Sequence, residues 1–332
     1  MDLNLNFNLN TKEAIPFDKT QLFDLIVIGG GPAGLNAALY SKRKGNITGV
    51  IAGQLGGLIL NTSVVENYLG YESISGQAMV DKFVDHVKAL EIPTLEYVMV
   101  DDIKTENKLH HLILNDGSVV RTKTVILATG SQSRKLNVPG EERLAGRGVA
   151  YCAICDAPLY KGKDVLVAGG GNAAVEAAID LSKVANSVTI VHRSQFRADQ
   201  VLLDQMATKD NVTVHLETPI LEIAGEDYMT AVLAKDKKND RLIEIEGDGV
   251  FIEIGHLPNT DTFKHIVALN DHNEVIIDEK GRTNVPGIFA AGDMTTVPYK
   301  QIIIATAQGA TAALTANEYL NALIIEPALI TL

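Results

Sequence analysis

A four-residue apolar run, Leu25, Ile26, Val27 and Ile28, breaks into Gly29, Gly30, Gly31, Pro32, Ala33 and Gly34, and a mixed segment from Leu35 to Lys44 then stops at Gly45. An apolar run bounded by turn residues reads as a strand, and a glycine after helix formers reads as a helix stop. The segment predicts strand, tight turn and helix. The same order returns 140 residues later, where Asp164 to Ala168 leads into Gly169, Gly170, Gly171, Asn172, Ala173 and Ala174, followed by Val175, Glu176, Ala177 and Ala178. Aligned without a gap, Asp24–Leu39 and Asp164–Ile179 share eight of sixteen positions, including all three consecutive glycines. This is an internal repeat of one supersecondary unit.

Between the copies, Met79, Phe83, Val84, Val87 and Leu90 recur at helical spacing within Ser75 to Leu90 and predict a core-facing helix. A hairpin is expected about Asn115, Asp116 and Gly117, and a buried strand over Val125 to Ala128, ending at Thr129 and Gly130. Further strands are expected over Ser187 to Val191, over Val212 to Leu216, and on both sides of the polar turn Lys235 to Arg241. Strands alternating with helices at this spacing predict an α/β protein with parallel sheets. The alternation of Leu and Asn over residues 3–10 reads as a short edge strand or a disordered tail and suggests no chemistry.

Composition narrows the classes. A chain of 332 residues with 46% hydrophobic positions is long enough for two cores. Lys and Arg number 29 against 41 Asp and Glu, a formal charge of −12 with no dense basic run, which argues against nucleic acid and against an anionic membrane surface. No secretory leader pattern opens the sequence, no apolar run reaches about 18 residues, and the tail from Ala322 to Leu332 carries Glu326 and Pro327. A cytoplasmic protein is expected. Two cysteines, Cys152 and Cys155, cannot form a disulfide scaffold for this length.

In a dinucleotide fold the pyrophosphate sits at a helix N-terminus. The first glycine of the fingerprint permits the turn, the second admits the phosphates and the third lets helix and strand pack closely. Gly29, Gly31 and Gly34 fit that spacing, and so do Gly169 and Gly171, with Ala174 in the tolerated third place. One such motif is weak evidence, whereas two copies with matching flanks predict two nucleotide sites. After the second copy the next strand ends in His192, Arg193, Ser194, Gln195, Phe196 and Arg197, without a carboxylate. Arg193 and Arg197 point to a 2′-phosphate, hence NADP, against the alternative of two solvated surface arginines. Cys152 and Cys155 allow three readings. Zinc lacks a third cysteine or a nearby histidine, while inert buried thiols and a redox pair both stay open; two dinucleotide sites favour the redox pair.

The chain resembles the low-molecular-weight thioredoxin reductases and the reductase portion of bacterial alkyl hydroperoxide reductase flavoproteins. The resemblance is carried by Gly29 to Gly34, Val65 to Tyr68, Ala128 to Gly130, Cys152 to Asp156, the second glycine unit, Ile254 to Asn259 and Ala290 to Asp293. The run Thr296 to Ala305 is most similar to the hydroperoxide reductase branch. It implies an FAD-binding domain over 21–133 and 258–332, interrupted by an NAD(P)-binding domain over 134–257 that carries the redox disulfide, with 1–20 as a tail. Both domains would be Rossmann-like, of the three-layer ββα type. By the same resemblance Cys155 faces the flavin, Cys152 attacks the disulfide of a protein substrate, and Asp156 is the acid/base residue. Gly29, Gly31, Gly34, Ala128, Gly130 and Asp293 would hold FAD, with Asn67 and Gln301 near its ring; Gly169, Gly171, Ala174, Arg193 and Arg197 would hold the pyridine nucleotide. The inserted domain would rotate on linkers near Ser131 to Gly140 and Gly255 to Thr260. Cys152 lies 17 residues before Gly169 and the last histidine is His272, both unlike the glutathione-reductase class.

Two departures matter. The His192 to Arg197 segment is one residue shorter and one arginine poorer than the thioredoxin reductase pattern, and Leu58 stands where the family usually places a glutamine. The expected activity is therefore electron transfer from NADPH through FAD and Cys152/Cys155 to thioredoxin or a thioredoxin-like protein, by a homodimer without a metal. NADH or reduced ferredoxin as donor, a peroxiredoxin system as acceptor, and a flavin-bound sensor that does not turn over are the alternatives. The 20 N-terminal residues are too few for a thioredoxin-like module, so a peroxidase partner would need a separate carrier.

Overall fold

The structure is a computed structural model that describes residues 15–62 and 64–325. The Leu/Asn alternation at 3–10, and the tail beyond residue 325, lie outside the described residues. In chain order the main elements begin with β1 (Leu22–Gly30), α1 (Pro32–Arg43), β2 (Thr48–Leu55), α2 (Gly76–Ala89), β3 (Thr94–Glu96), β4 (Val100–Glu106), β5 (Leu109–Leu114) and β6 (Val119–Leu127). Next come β7 (Val149–Ala150), α3 (Ala153–Asp156), β8 (Asp164–Ala168), α4 (Asn172–Leu181), β9 (Ser187–Val191), α5 (Gln200–Ala207) and β10 (Val212–His215). They are followed by β11 (Ile220–Ala224), β12 (Ala231–Asp236), β13 (Arg241–Glu246), β14 (Gly249–Ile252), β15 (Ile288–Ala290) and α6 (Ile302–Ile325). The described chain divides into two compact units, one of residues 15–62, 74–131 and 258–325, the other of 64–73 and 132–257.

In the first unit the sheet order is β3-β2-β1-β6-β5-β4, and β15 adds to β6. β1 is parallel to both neighbours, with Ile28 opposite Ile51 of β2 and Leu127 of β6. Such a strand is covered on both faces, which is why it reads as a continuous apolar run. Leu25 and Val27 pack with Ala37, Ala38, Ala312 and Ala316 of α1 and α6, whereas Ile26 and Ile28 pack with Leu112, Leu114 and Phe263 on the other face. The two helices approach backbone to backbone, since a Cβ on Gly309 would meet the Ala33 carbonyl oxygen at 2.0 Å. Gly45 ends α1 as expected, at φ +85° with its N–H on the Lys42 carbonyl. α2 matches the helical pattern, capped by Ser75 accepting from the Ala78 N–H at 3.2 Å, with Met79 and Val87 buried. The expected hairpin about Asn115 to Gly117 joins β5 and β6.

The second unit carries the repeat in a different setting. Its five-stranded sheet, β7-β14-β8-β9-β10, is parallel throughout, and β11-β12-β13 form a separate antiparallel sheet whose β12–β13 turn is the polar turn expected from sequence. On one face Val165, Val167 and Phe251 pack against Val175, Ala178 and Met206 from α4 and α5. On the other, Leu166, Val250 and Ile252 pack against Ile223, Val232 and Ala234 of the antiparallel sheet. The result is three layers, helix, parallel sheet and antiparallel sheet, as the ββα expectation has it. Leu166 is fully buried between the two sheets, and truncating such a side chain costs about 2–5 kcal/mol. Among the described residues no helix is long and apolar enough to cross a membrane.

Candidate functional site

The two glycine turns have one local geometry. Gly29 has φ +122°, and a Cβ there would meet the Ala128 carbonyl oxygen at 2.1 Å. On Gly34 it would meet the Gly29 oxygen at 2.0 Å, whereas on Gly31 it would meet nothing within 4 Å. The first and third positions are thus filled by backbone, and the second is open. Gly169 repeats the strain at φ +157°, with the Glu253 carbonyl oxygen 2.3 Å from a Cβ, and Gly171 is open like Gly31. α1 and α4 begin directly after Gly31 and Gly171, with no side-chain cap and no acidic residue in the first turn. Their leading N–H groups are left for a ligand, in contrast to those of Ser75-capped α2. An uncapped helix start at an open glycine, with no acid in its own first turn, is a fit for a pyrophosphate, so the residues present suit a dinucleotide in each unit; in the second, the Asp199 carboxylate accepts from the Asn172 side chain at 2.8 Å.

Around the first turn, Ala128 donates its N–H to Ile28, and the next residues form an exchange in which Asn259 donates to the Thr129 and Gly130 carbonyls while Thr129 Oγ1 donates to Asn259. Asp293 follows Gly292, which has φ +82° and lies so close to the start of α1 that a Cβ on it would stand 2.9 Å from the Ala33 methyl. Burial pushes the Asp293 carboxyl up, and Lys300 pulls it back. Lys300 itself is held by Glu274 at 2.8 Å and the Thr295 carbonyl at 2.6 Å. Gln301 lies just before α6, and Asn67 lies in the 64–73 segment that groups with the second unit. Gly29, Gly31, Gly34, Ala128 and Asp293 are therefore brought together at one end of the sheet. A feature that sequence reading missed joins them: Gly57, at φ +59°, lies against Gly31, with the Gly31 Cα 3.2 Å from its Cβ position.

In the second unit a cleft of about 720 Å³ is lined by Gly169 to Ala173, His192, Arg193, Arg197, Arg134 and Glu253, among others. Ala174 is fully buried beneath it. His192, which sequence reading left without a role, is 5% exposed, and its ring stands where a Gly170 side chain would be. The Arg197 N–H donates to the Gly170 carbonyl at 2.8 Å, so the arginine segment is pinned to the glycine turn. Arg193 and Arg197 are exposed at the rim. Glu141, also missed, is 1% exposed and accepts from the N–H groups of Leu136 and Asn137, which line the cleft, and from the Tyr151 hydroxyl.

Cys152 and Cys155 are disulfide-bonded across α3, with their Cα atoms 5.3 Å apart. Cys152 is the N-cap of that turn, and the Cys155 N–H donates to its Sγ at 3.2 Å. That donor would favour a thiolate at Cys152 once the bond is reduced. Burial pushes the neighbouring Asp156 carboxyl up to about 6. Glu253, at the end of β14, accepts the Ala153 N–H through Oε1 at 3.0 Å, and burial, with Asp156 adding to it, pushes its carboxyl up to about 7. Sequence reading missed Glu253. Its only signal was an acid placed directly after the apolar run Val250 to Ile252. Among the described residues no cluster of His, Cys, Asp and Glu could hold a metal ion.

Residues 23–310 match the family model of the pyridine nucleotide-disulphide oxidoreductases. The chain is 43% identical over 320 residues to an alkyl hydroperoxide reductase subunit of Pseudomonas putida, covering 95% of this chain and 62% of that protein. It is 41% identical over 312 residues to the subunit of the same name in Staphylococcus aureus strain Mu50, with 94% and 62% covered. It therefore spans less than two thirds of these relatives. Among solved structures, the thioredoxin reductase of Streptococcus pyogenes MGAS5005 superposes with a TM-score of 0.86 at 36% identity, covering 91% of this chain and 99% of that one. The thioredoxin reductase of Giardia duodenalis gives 0.85 at 28% identity, with the same coverage. With the family model matched over most of its length and the disulfide, the two glycine turns and the ββα unit in place, this chain belongs to the pyridine nucleotide-disulphide oxidoreductase family.

Proposed function

We propose that this chain is an FAD-dependent disulfide reductase that takes two electrons from NADPH and delivers them, through Cys152 and Cys155, to thioredoxin or a thioredoxin-like protein. The observation that carries the reading is the bonded Cys152–Cys155 pair, flanked by the half-buried carboxyl of Asp156, on the unit that holds the second glycine turn. FAD, when bound, accepts a hydride equivalent from the nicotinamide and returns the electron pair to a disulfide. The first unit would hold it through Gly29, Gly31, Gly34, Ala128, Gly130 and Asp293, with Asn67 and Gln301 toward its ring, while Gly169, Gly171, Ala174, Arg193 and Arg197 would hold the nucleotide.

The protein's own groups then act in sequence. The incoming electron pair breaks the Cys152–Cys155 bond and, with one proton, leaves Cys155 as a thiol and Cys152 as a thiolate. Cys152, with its thiolate favoured by the Cys155 N–H, attacks one sulfur of the partner disulfide, and the departing partner thiolate takes the proton that Asp156 holds below about pH 6. Cys155 then attacks Cys152 Sγ while its thiol proton passes to the departing partner sulfur, which restores the internal bond and releases the reduced partner. Substituting Cys152→Ser should abolish steady-state reduction of a thioredoxin disulfide while NADPH still bleaches the flavin; turnover that survives the substitution would remove Cys152 from the path. Anaerobic titration with NADPH, NADH and reduced ferredoxin assigns the donor, and NADPH is expected to bleach first.

The 43% identity to a component of an alkyl hydroperoxide reductase favours a second reading, in which the acceptor is a carrier that feeds a peroxidase. Reduction rates with a thioredoxin and with a peroxiredoxin-linked carrier separate the two. A homodimer and a cytoplasmic setting extend the same family reading, and sedimentation of the flavin-loaded protein tests the first.

A further inference from the structure

The chemistry above leaves one half-buried acid unused. Glu253 follows Ile252, the last residue of β14, and β14 lies on one side of β8 while β9 lies on the other. In a doubly wound sheet the dinucleotide lies across the C-terminal strand ends with its pyrophosphate at the helix after the first strand. The adenosine half then falls on the β9 side, where Arg193 and Arg197 stand, so β14 marks the nicotinamide half. Glu253 lines the same cleft as those arginines, and its backbone is in contact with the turn, since a Cβ on Gly169 would meet the Glu253 oxygen at 2.3 Å. Its Oε1 accepts the Ala153 N–H, a backbone group between the two cysteines, and the carboxyl has no other hydrogen-bond partner among the described residues.

We propose that Glu253 is the residue that recognises the nicotinamide end of the pyridine nucleotide, its carboxylate accepting from the carboxamide NH₂ while Oε1 keeps hold of Ala153 in the redox loop. This rests on the reading of the cleft as a pyridine-nucleotide site. A carboxyl is an acceptor with room for more than one donor, and a primary amide supplies the donor that the protein does not. Charge adds a second discrimination. The oxidised nicotinamide ring is cationic and the reduced ring is neutral, so a carboxylate beside it favours the oxidised form. Because burial holds Glu253 up to about 7, that preference belongs to the ionised protein at about pH 8. One side chain then touches both partners of the electron path, the nucleotide and the loop that bears the disulfide.

The test compares three ligands on the full flavin-loaded, oxidised protein at pH 8: NADP⁺, NADPH, and 2′-phospho-ADP-ribose, which lacks the nicotinamide. The NAD⁺, NADH and ADP-ribose series runs in parallel. Glu253→Gln keeps an acceptor for Ala153 and turns an NH₂ toward the cleft, so it preserves the loop and removes the contact. Its expected effect is about tenfold weaker binding of NADP⁺, a smaller loss for NADPH and no change for 2′-phospho-ADP-ribose, by calorimetry. Glu253→Ala should show the same ligand order together with a shifted potential of the Cys152/Cys155 couple. Equal weakening of all three ligands would reduce Glu253 to a structural role, and unchanged NADP⁺ affinity in both variants would overturn the proposal. A wild-type protein that binds neither series would overturn the reading of the cleft itself.

Discussion

The two glycine turns begin from the same eight shared positions and end in different electrostatics. At each, burial holds a carboxyl above its ordinary range on the C-terminal side of the sheet. In the first unit Lys300 draws Asp293 back toward the ionised form; in the second, burial holds Glu253 up to about 7, the Ala153 N–H opposes it, and Asp156 adds a smaller push upward. A duplicated turn supplies the same open, uncapped helix start twice, and the two copies differ in the charges packed behind them. The second difference is steric. Gly34 has the Gly29 oxygen 2.0 Å from its Cβ position, whereas Ala174 already carries the methyl group, fully buried.

The heaviest cost falls on making the first turn copy the second. Gly34→Ala drives a methyl into a backbone oxygen that cannot swing aside, and overpacking of that kind costs about 3 kcal/mol or more. The expected outcome is protein that loses its flavin on gel filtration and melts earlier, with the nucleotide cleft of the second unit still able to bind. Retention of a full complement of flavin would show that the first turn tolerates the same third residue as the second.

Next in size is Asp156→Asn, which leaves Glu253 without its negative neighbour. If Asp156 gives the proton, the pH profile of disulfide reduction loses its ionisation near 6 and the rate falls about a hundredfold. The sign for stability runs the other way from that of a salt-bridged acid. A carboxyl raised from 3.8 to about 6 is protonated in the fold where it would be ionised in the open chain. Its contribution is complete below pH 3.8 and is lost as pH rises through about 6, so the variant should show a flatter dependence of denaturation midpoint on pH across that interval. A smaller effect is expected at the rim. Because Arg193 and Arg197 are exposed, replacing both with alanine should lower the preference for NADPH over NADH by about tenfold or less, read from flavin bleaching at limiting nucleotide.

What could be read from the sequence is what is written locally. The glycine turns announce themselves because backbone strain at Gly29 and Gly169 excludes other residues, and the cysteine pair because two dinucleotide turns beside it favour its redox reading. α2 was visible because Ser75 caps it and Met79 and Val87 face inward at helical spacing. His192, Glu141 and Glu253 were not, since each is defined by a neighbour distant in sequence. His192 occupies the space that Gly170 leaves empty, Glu141 gathers donors from two segments, and Glu253 reaches 100 residues back to Ala153. The polar turn Lys235 to Arg241 predicted the pair of strands on its two sides, yet nothing in it showed that their apolar face would cover Leu166.

The smallest change makes the second turn copy the first. Ala174→Gly removes a fully buried methyl at the start of α4 and adds backbone freedom to a helix, and together these cost about 1 kcal/mol. The methyl also stands 2.7 Å from where a Gly169 side chain would lie, a position that the Glu253 carbonyl oxygen approaches as well, at 2.3 Å. If the two turns are interchangeable scaffolds, the variant should melt a few degrees earlier and bind NADP⁺ and 2′-phospho-ADP-ribose with one common, small loss. If the methyl sets the position of Glu253, the loss will be larger for NADP⁺. The ratio of the two affinities, which is independent of overall stability, therefore decides whether the third fingerprint position of this unit only packs the helix or also aims the acid behind it.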